Sequence, residues 1–241
     1  MPYLLPVSCD FAGEFLLQES IELAVQEVRY ASKNLPASRS VAAWLFVKPD
    51  RVGRLMSCIT RRSVLQTTVR STDEKLFRYW DPRVFGHLPR IMGESFLSWL
   101  GEVVHWCWMD TAGNLRQVDM AATNSPPEIQ DSQFLASLRR IAEINQCLVF
   151  TEKTSAEKEA QTENHFDRLL IHAERIGCGT SVDRMTYAVL ADGLGQEFET
   201  NELLSSFMAP FFEGKAAFSA CVANISQDIW DQVRKNRLAL S

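Results

Sequence analysis

Residues 122 to 132, ATNSPPEIQDS, place two adjacent prolines among polar and acidic side chains, and the character of the chain changes across them. Ahead of the stretch, short apolar and β-branched runs alternate with turn-forming residues. Beyond it, apolar residues recur at helical spacing almost without a break. A proline pair interrupts both helix hydrogen bonding and sheet pairing, so the stretch reads as a linker. The expected fold class is therefore α+β: an α/β lobe at residues 1–122, with a mixed, largely antiparallel sheet and helices, then an all-helical lobe at 132–241.

A chain of 241 residues, 46% hydrophobic and 23% charged, can bury a good core as one large domain or as two lobes. Charge divides with the linker. Residues 1–120 carry 14 Lys+Arg against 13 Asp+Glu, and residues 121–241 carry 11 against 17. The net charge of -5 argues against a general nucleic-acid binder, whose affinity would rest on basic phosphate contacts. The N-terminus MPYLLPVSCDFAGEF has no basic n-region, and prolines interrupt its apolar run, so it does not read as a signal peptide. No apolar stretch approaches the ~20 residues that span a bilayer. A cytoplasmic location and no membrane partner are the expectations.

In the front half, residues 14–31 predict an amphipathic helix with Phe15, Leu16, Ile21, Leu23, Val25 and Val28 on its apolar face. VAAWLFV at 41–47 predicts a buried strand, and residues 50–60 a short helix with Val52, Leu55, Met56 and Ile59 on one side. VLQTTVR at 64–70 and LFRYW at 76–80 predict strands. Asp81-Pro82 then ends the second of these: the residue before proline avoids helical angles, proline suits the first helical position, and aspartate caps. The spacing predicts a helix over 82–92, helical continuation at 94–100, and a hairpin from 103–110 into LRQVDMA. Past the linker, helices are predicted at about 132–150, 153–176, 181–193, 199–208 and 226–239, with caps or stops at Thr180-Ser181, Gly177, Gly179, Gly193 and Gly195.

Candidate chemistry is sparse. The six cysteines lie at least 31 residues apart, which excludes CxxC metal or redox pairs and suits small buried hydrophobes. His165 and His172 share one predicted helix face, but no third ligand lies at i±3 or i±4, so no metal site is expected. His105 and Cys107 share a strand face yet point side by side, a poor geometry for a Cys–His couple. Walker and dinucleotide glycine patterns are missing, and no cofactor is expected. Arg51, Arg54, Arg61, Arg62 and Arg70 form a basic stripe, read as a solvated face or a patch for an acidic partner. A charge inside the aromatic run LFRYW is costly unless paired, so Arg78 should be held by Asp81 while Arg83, one step into the helix, is exposed. The group is either a structural corner or a surface that a partner uses.

LFRYWDPRVFGHL, preceded by an apolar strand, a short helix and a β-branched run, resembles the type VI secretion adaptor family catalogued as domain of unknown function 4123. Its hallmark of an aromatic-flanked arginine, then Asp-Pro-Arg, then an apolar helix falls here on Arg78, Asp81, Pro82 and Arg83. The likeness runs from about Pro2 to the hairpin near 120, and SVDRMTYAVLADGLGQEFET at 181–200 is similar to the family's C-terminal lobe. Family members usually carry a further segment ahead of the PYLL-like stretch, so a shortened member is expected. The resemblance implies a non-catalytic cytoplasmic adaptor or chaperone that holds a toxic effector by its N-terminal region and helps load it on a VgrG spike. On that reading Phe85, Trp99 and Trp106 are expected as exposed anchors, with Phe85 joining Arg78, Asp81, Pro82 and Arg83 at the partner surface. A cysteine- or histidine-dependent hydrolase centred on Cys107, and a nucleic-acid-binding regulator using the basic stripe, are the alternatives.

Overall fold

The structure, a computed structural model, describes residues 5, 7, 10–31, 43–66, 74–109, 114–121, 132–151 and 156–238. The chain is α+β and divides into two units, Met1–Leu138 and Arg139–Ser241.

In the first unit, β4 (Val103–Met109) lies between β1 (Trp44–Val47) and β5 (Leu115–Asp119) in an antiparallel sheet. β2 (Val64–Gln66) and β3 (Glu74–Leu76) form a separate antiparallel pair. Across the main sheet Trp44 faces Cys107, and His105 faces Asp119. VVHWCWM holds the centre because its apolar, branched and aromatic side chains tolerate cover on both faces. The expected buried strand at 41–47 is instead an edge: Phe46 is exposed, and the register shifts between Phe46 and Val47. Residues 67–70 and the hairpin turn at 110–113 lie outside the described residues.

Helix α1 (Phe11–Ala31) forms where the periodicity predicts it but buries only part of the expected face: Ile21 and Val25 are half-buried, and Val25 packs beside Ala24 and Met109. Gly13 and Ala24 are buried and Ser20 half-buried, while Phe15, Leu16 and Leu23 are exposed. These three small residues, spaced seven and four apart, share one line of the helix. The Trp44 indole N–H donates to Ser20 Oγ at 2.8 Å, and Ala24 packs with Met109. In α2 (Val52–Arg62) the buried stripe is Leu55, Cys58, Ile59 and Arg62, at i, i+3, i+4 and i+7; Val52 and Met56 of the expected face are exposed.

Two expectations fail between residues 76 and 92. β3 ends at Leu76, and Tyr79 and Trp80 lie in a turn, so Asp81 does not terminate a strand. The helix expected over 82–92 is two short ones, α3 (Pro82–Phe85) and α4 (Leu88–Met92), with Gly86 and His87 in a turn between them. Pro89 explains the break: it has no N–H to return to the Phe85 carbonyl, and its ring would crowd that carbonyl. α5 (Ser95–Ser98) follows.

α6 (Ser132–Phe150) crosses the division between units: Phe134 belongs to the first core, whereas Ile144 and Cys147 belong to the second. The proline-bearing stretch at 122–131 lies outside the described residues. The second unit continues as α7 (Ala156–Arg175), α8 (Ser181–Leu194), α9 (Ser205–Phe212), α10 (Phe218–Ala223) and α11 (Gln227–Leu238). Of the helix expected at 199–208, only 205–208 is α-helical, within α9; two 3-10 turns, Phe198–Thr200 and Glu202–Leu204, precede it. Asn201 causes the interruption by accepting the Leu203 N–H on its side-chain oxygen at 3.0 Å. Gly177 and Gly195, at φ 103° and 93°, turn the chain out of α7 and α8 in a region that other residues rarely occupy.

Thr180 caps α8 by accepting the Asp183 N–H at 3.1 Å, and its hydroxyl donates to Asp183 Oδ2 at 2.7 Å. Asp183 Oδ1 accepts the Ser219 N–H at 2.8 Å, so one buried carboxylate joins the starts of α8 and α10. Burial pushes this carboxyl up, but the bonds from Ser219 and Thr180 outweigh burial and hold it below the ordinary aspartate range. Its folded value is thus below its unfolded one, and its stabilisation, present at neutral pH, fades as pH falls from about 4 through the folded value. Urea unfolding followed by circular dichroism is expected to show Thr180→Ala costing about 1 kcal/mol. Asp183→Asn is expected to flatten the acid limb of stability against pH.

Candidate functional site

The corner after β3 is built by short-range chemistry. Asp81 stands just before α3, where the first backbone N–H groups have no partner in the helix. Its Oδ1 accepts the Arg83 backbone N–H at 3.0 Å, and its own carbonyl accepts from the N–H groups of Val84 and Phe85, both at 2.8 Å. Pro82 occupies the first helical position, where a missing N–H costs nothing. The Arg83 guanidinium folds back on the same carboxylate, with Nε 2.9 Å from Oδ1 and Nη2 2.6 Å from Oδ2.

Arg83 is exposed as expected, but it, and not Arg78, makes the close pair with Asp81. Arg78 is not a buried charge inside a strand: its side chain is 62% exposed and reaches Asp81 Oδ2 only at 3.7 Å. Arg83, 48% exposed, forms the close two-point pair. The reason is geometric: a residue two positions into the helix can turn its fork onto the capping carboxylate. Arg78 leaves a non-strand segment pointing outward. Burial alone would raise the Asp81 carboxyl, but the Arg83 side chain and backbone, with Arg78 beyond them, hold it below the ordinary range. Such a carboxylate stays ionised at neutral pH and is poorly suited to general acid–base work there.

The cap fixes the start of α3 and so places Phe85, which is 0% exposed. Its ring stacks on Trp106 at 3.8 Å and meets Phe96 and Trp108 edge-on at 5.3 and 5.0 Å. Tyr79, on the other side of Asp81 in the chain, is buried 4.9 Å from Trp99 and 6.2 Å from Trp106. Phe85, Trp99 and Trp106 are consequently core residues, which corrects their assignment as exposed partner anchors. Their rings, with those of Phe77, Tyr79 and Phe96, bury against one another.

The other candidates resolve into local contacts. His105 Nδ1 lies 2.8 Å from Asp119 Oδ1, and the Cys107 thiol is directed to Gln117 Oε1 at 3.8 Å. Burial, helped by Asp119, pushes that thiol up, opposite to the shift an attacking thiolate needs. All five described cysteines are buried and free. His165 meets Asp192 at 3.1 Å and His172 meets Gln196 at 2.9 Å, each on its own partner. Among the described residues, no group of three or more His, Cys, Asp or Glu is placed to hold a metal ion. The basic stripe does not form one solvated face. Arg62 is buried with its guanidinium 5.7 Å from the Trp99 ring centroid, and Arg51 and Arg54 both approach Glu102, at 3.1 and 3.9 Å. Arg70 lies outside the described residues.

No family model matches the chain, and no curated protein or solved structure matches it either.

Sequence reasoning missed two contacts that shape this unit, Ser20 with Trp44 and Arg62 with Trp99. The second was signalled by Arg62 falling at i+7 from Leu55, on the buried stripe of α2. Replacing Asp81 with alanine removes a cap and a two-point charged contact together, so a loss of about 1–3 kcal/mol is expected in chemical denaturation. Arg78→Ala is expected to stay within about 0.5 kcal/mol, as an exposed group should. Because the Asp81 carboxyl titrates lower folded than unfolded, its stabilisation is full at neutral pH and is lost as pH falls below about 4. Asp81→Asn is expected to lose that dependence.

Proposed function

We propose that the protein is a type VI secretion adaptor: a cytoplasmic, non-catalytic chaperone that holds a toxic effector by its N-terminal region and promotes its loading on the VgrG spike. The observation that carries this reading is the Arg78, Asp81, Pro82, Arg83 signature in its setting of strand, turn and helix, with its one carboxylate committed to a cap and an ion pair. A holdase has to present a stable surface and needs no activated group. The raised Cys107 thiol and the engagement of His105 by Asp119 fit that requirement. No described helix is long and apolar enough to cross a membrane.

The buried state of Phe85, Trp99 and Trp106 refines the proposal. These rings stiffen the first unit, and partner contact falls to side chains that the fold leaves outside. Arg78 is more accessible than Asp81 or Arg83 and is the one suited to meet an acidic group on a partner.

Co-expression of the tagged chain with the effector and spike proteins encoded beside it tests the proposal. A stable complex with the effector, recovered at constant stoichiometry through size exclusion, is expected. Failure of both neighbours to co-purify would overturn it. The hydrolase alternative makes a separate forecast, that Cys107→Ala abolishes a turnover while binding persists.

A further inference from the structure

Helix α1 leaves its largest apolar side chains in solvent. Phe11 is 87% exposed and Phe15 57%, and Leu16 and Leu23 are exposed on the adjoining flank of the helix, with Glu19 between the two pairs. The side opposite the phenylalanines, through Gly13, Ser20 and Ala24 with Val25 beside them, is the one that packs. The outward side also carries acid: Glu14, Glu19 and Glu22 are exposed, and no lysine or arginine occurs between Phe11 and Val28. Four apolar side chains interleaved with glutamates along a helix about 30 Å long form a surface of defined chemistry.

Charge selects among the occupants that could cover it. A second copy docking the same face would set glutamates against glutamates. An anionic bilayer would meet the same repulsion while Phe11 and Phe15 tried to insert. A basic amphipathic helix gains on both counts, since its apolar stripe covers the phenylalanines and leucines while lysines or arginines reach Glu19 and Glu22. We infer that the outward face of α1 is a docking surface for a basic amphipathic helix of a partner protein. That the partner is the effector rests on the adaptor reading above; the chemistry of the surface does not.

The experiment uses the full chain and two fluorescein-labelled 20-residue peptides with the same leucine stripe, one flanked by lysines and the other by glutamates. Fluorescence anisotropy is expected to show the lysine peptide binding at least tenfold more tightly, with the difference shrinking in high salt. Phe11→Ser with Phe15→Ser should weaken the lysine peptide at least tenfold, and Glu19→Lys with Glu22→Lys should reverse the preference. These side chains are exposed, so the circular dichroism of both variants should match the parent. Equal binding of the two peptides, or variants that bind as the parent does, would overturn the inference. So would capture by phosphatidylglycerol vesicles through Phe11 and Phe15, or dimerisation that the serine variant abolishes. The effector assignment separates cleanly. If the lysine peptide binds as expected but the neighbouring effector never co-purifies, the surface stands and the adaptor reading falls. If the effector co-purifies undiminished with the serine variant, the adaptor reading stands and α1 is not the effector's seat.

Discussion

A carboxylate largely enclosed by protein must either be protonated or find donors and positive charge to hold it, and Asp81 takes the second course. One oxygen caps the first turn of α3 and meets Arg83 Nε, and the other receives Arg83 Nη2. Without that cap a four-residue helix has little to hold it, because nucleating a turn costs more than its few hydrogen bonds return. The orientation of Phe85, and through it the stack on Trp106, follows from the cap. The first unit's core is therefore tied to a local electrostatic arrangement spanning three residues.

That dependence explains what could and could not be read from the chain. Asp81-Pro82 announces a helix start because its cause is local, and α3 begins where the dipeptide places it. The choice between Arg78 and Arg83 was illegible, since it turns on which guanidinium can curl onto the cap, a matter of backbone direction. The same limit applies to α1. Periodicity located the helix and put Ile21 and Val25 on its inner side, but it did not show that Phe15, Leu16 and Leu23 would stay exposed. The break between α3 and α4 was legible in principle, as Pro89 forbids a continuous helix.

In the second unit the helical pattern was plain, and its joints were not. Thr180 advertised a cap, but the bond from Asp183 to the Ser219 N–H joins residues 36 apart and has no sequence signature. Other long-range joints in the second unit are ion pairs: Arg140 meets Asp167 at 2.6 Å, and Arg184 reaches Glu143 at 3.1 Å through its Nε. Arg140, Glu143 and Asp183 are buried, where a lost partner costs more than an exposed pair would return.

Recognition by the first unit has to obey the same division between inside and outside. Rings that stack at 3.8 Å cannot leave the core to meet a partner without dismantling it, so Phe85 and Trp106 are closed to that role. The phenylalanines of α1 face no such conflict, because the helix is already held through Ala24, Val25 and the Ser20–Trp44 bond. A partner covering Phe11 and Phe15 removes apolar surface from water without disturbing any packing that exists beforehand. The glutamates beside them then decide which partners are admitted, since an apolar face alone would accept any greasy helix and an acidic rim admits those that bring positive charge.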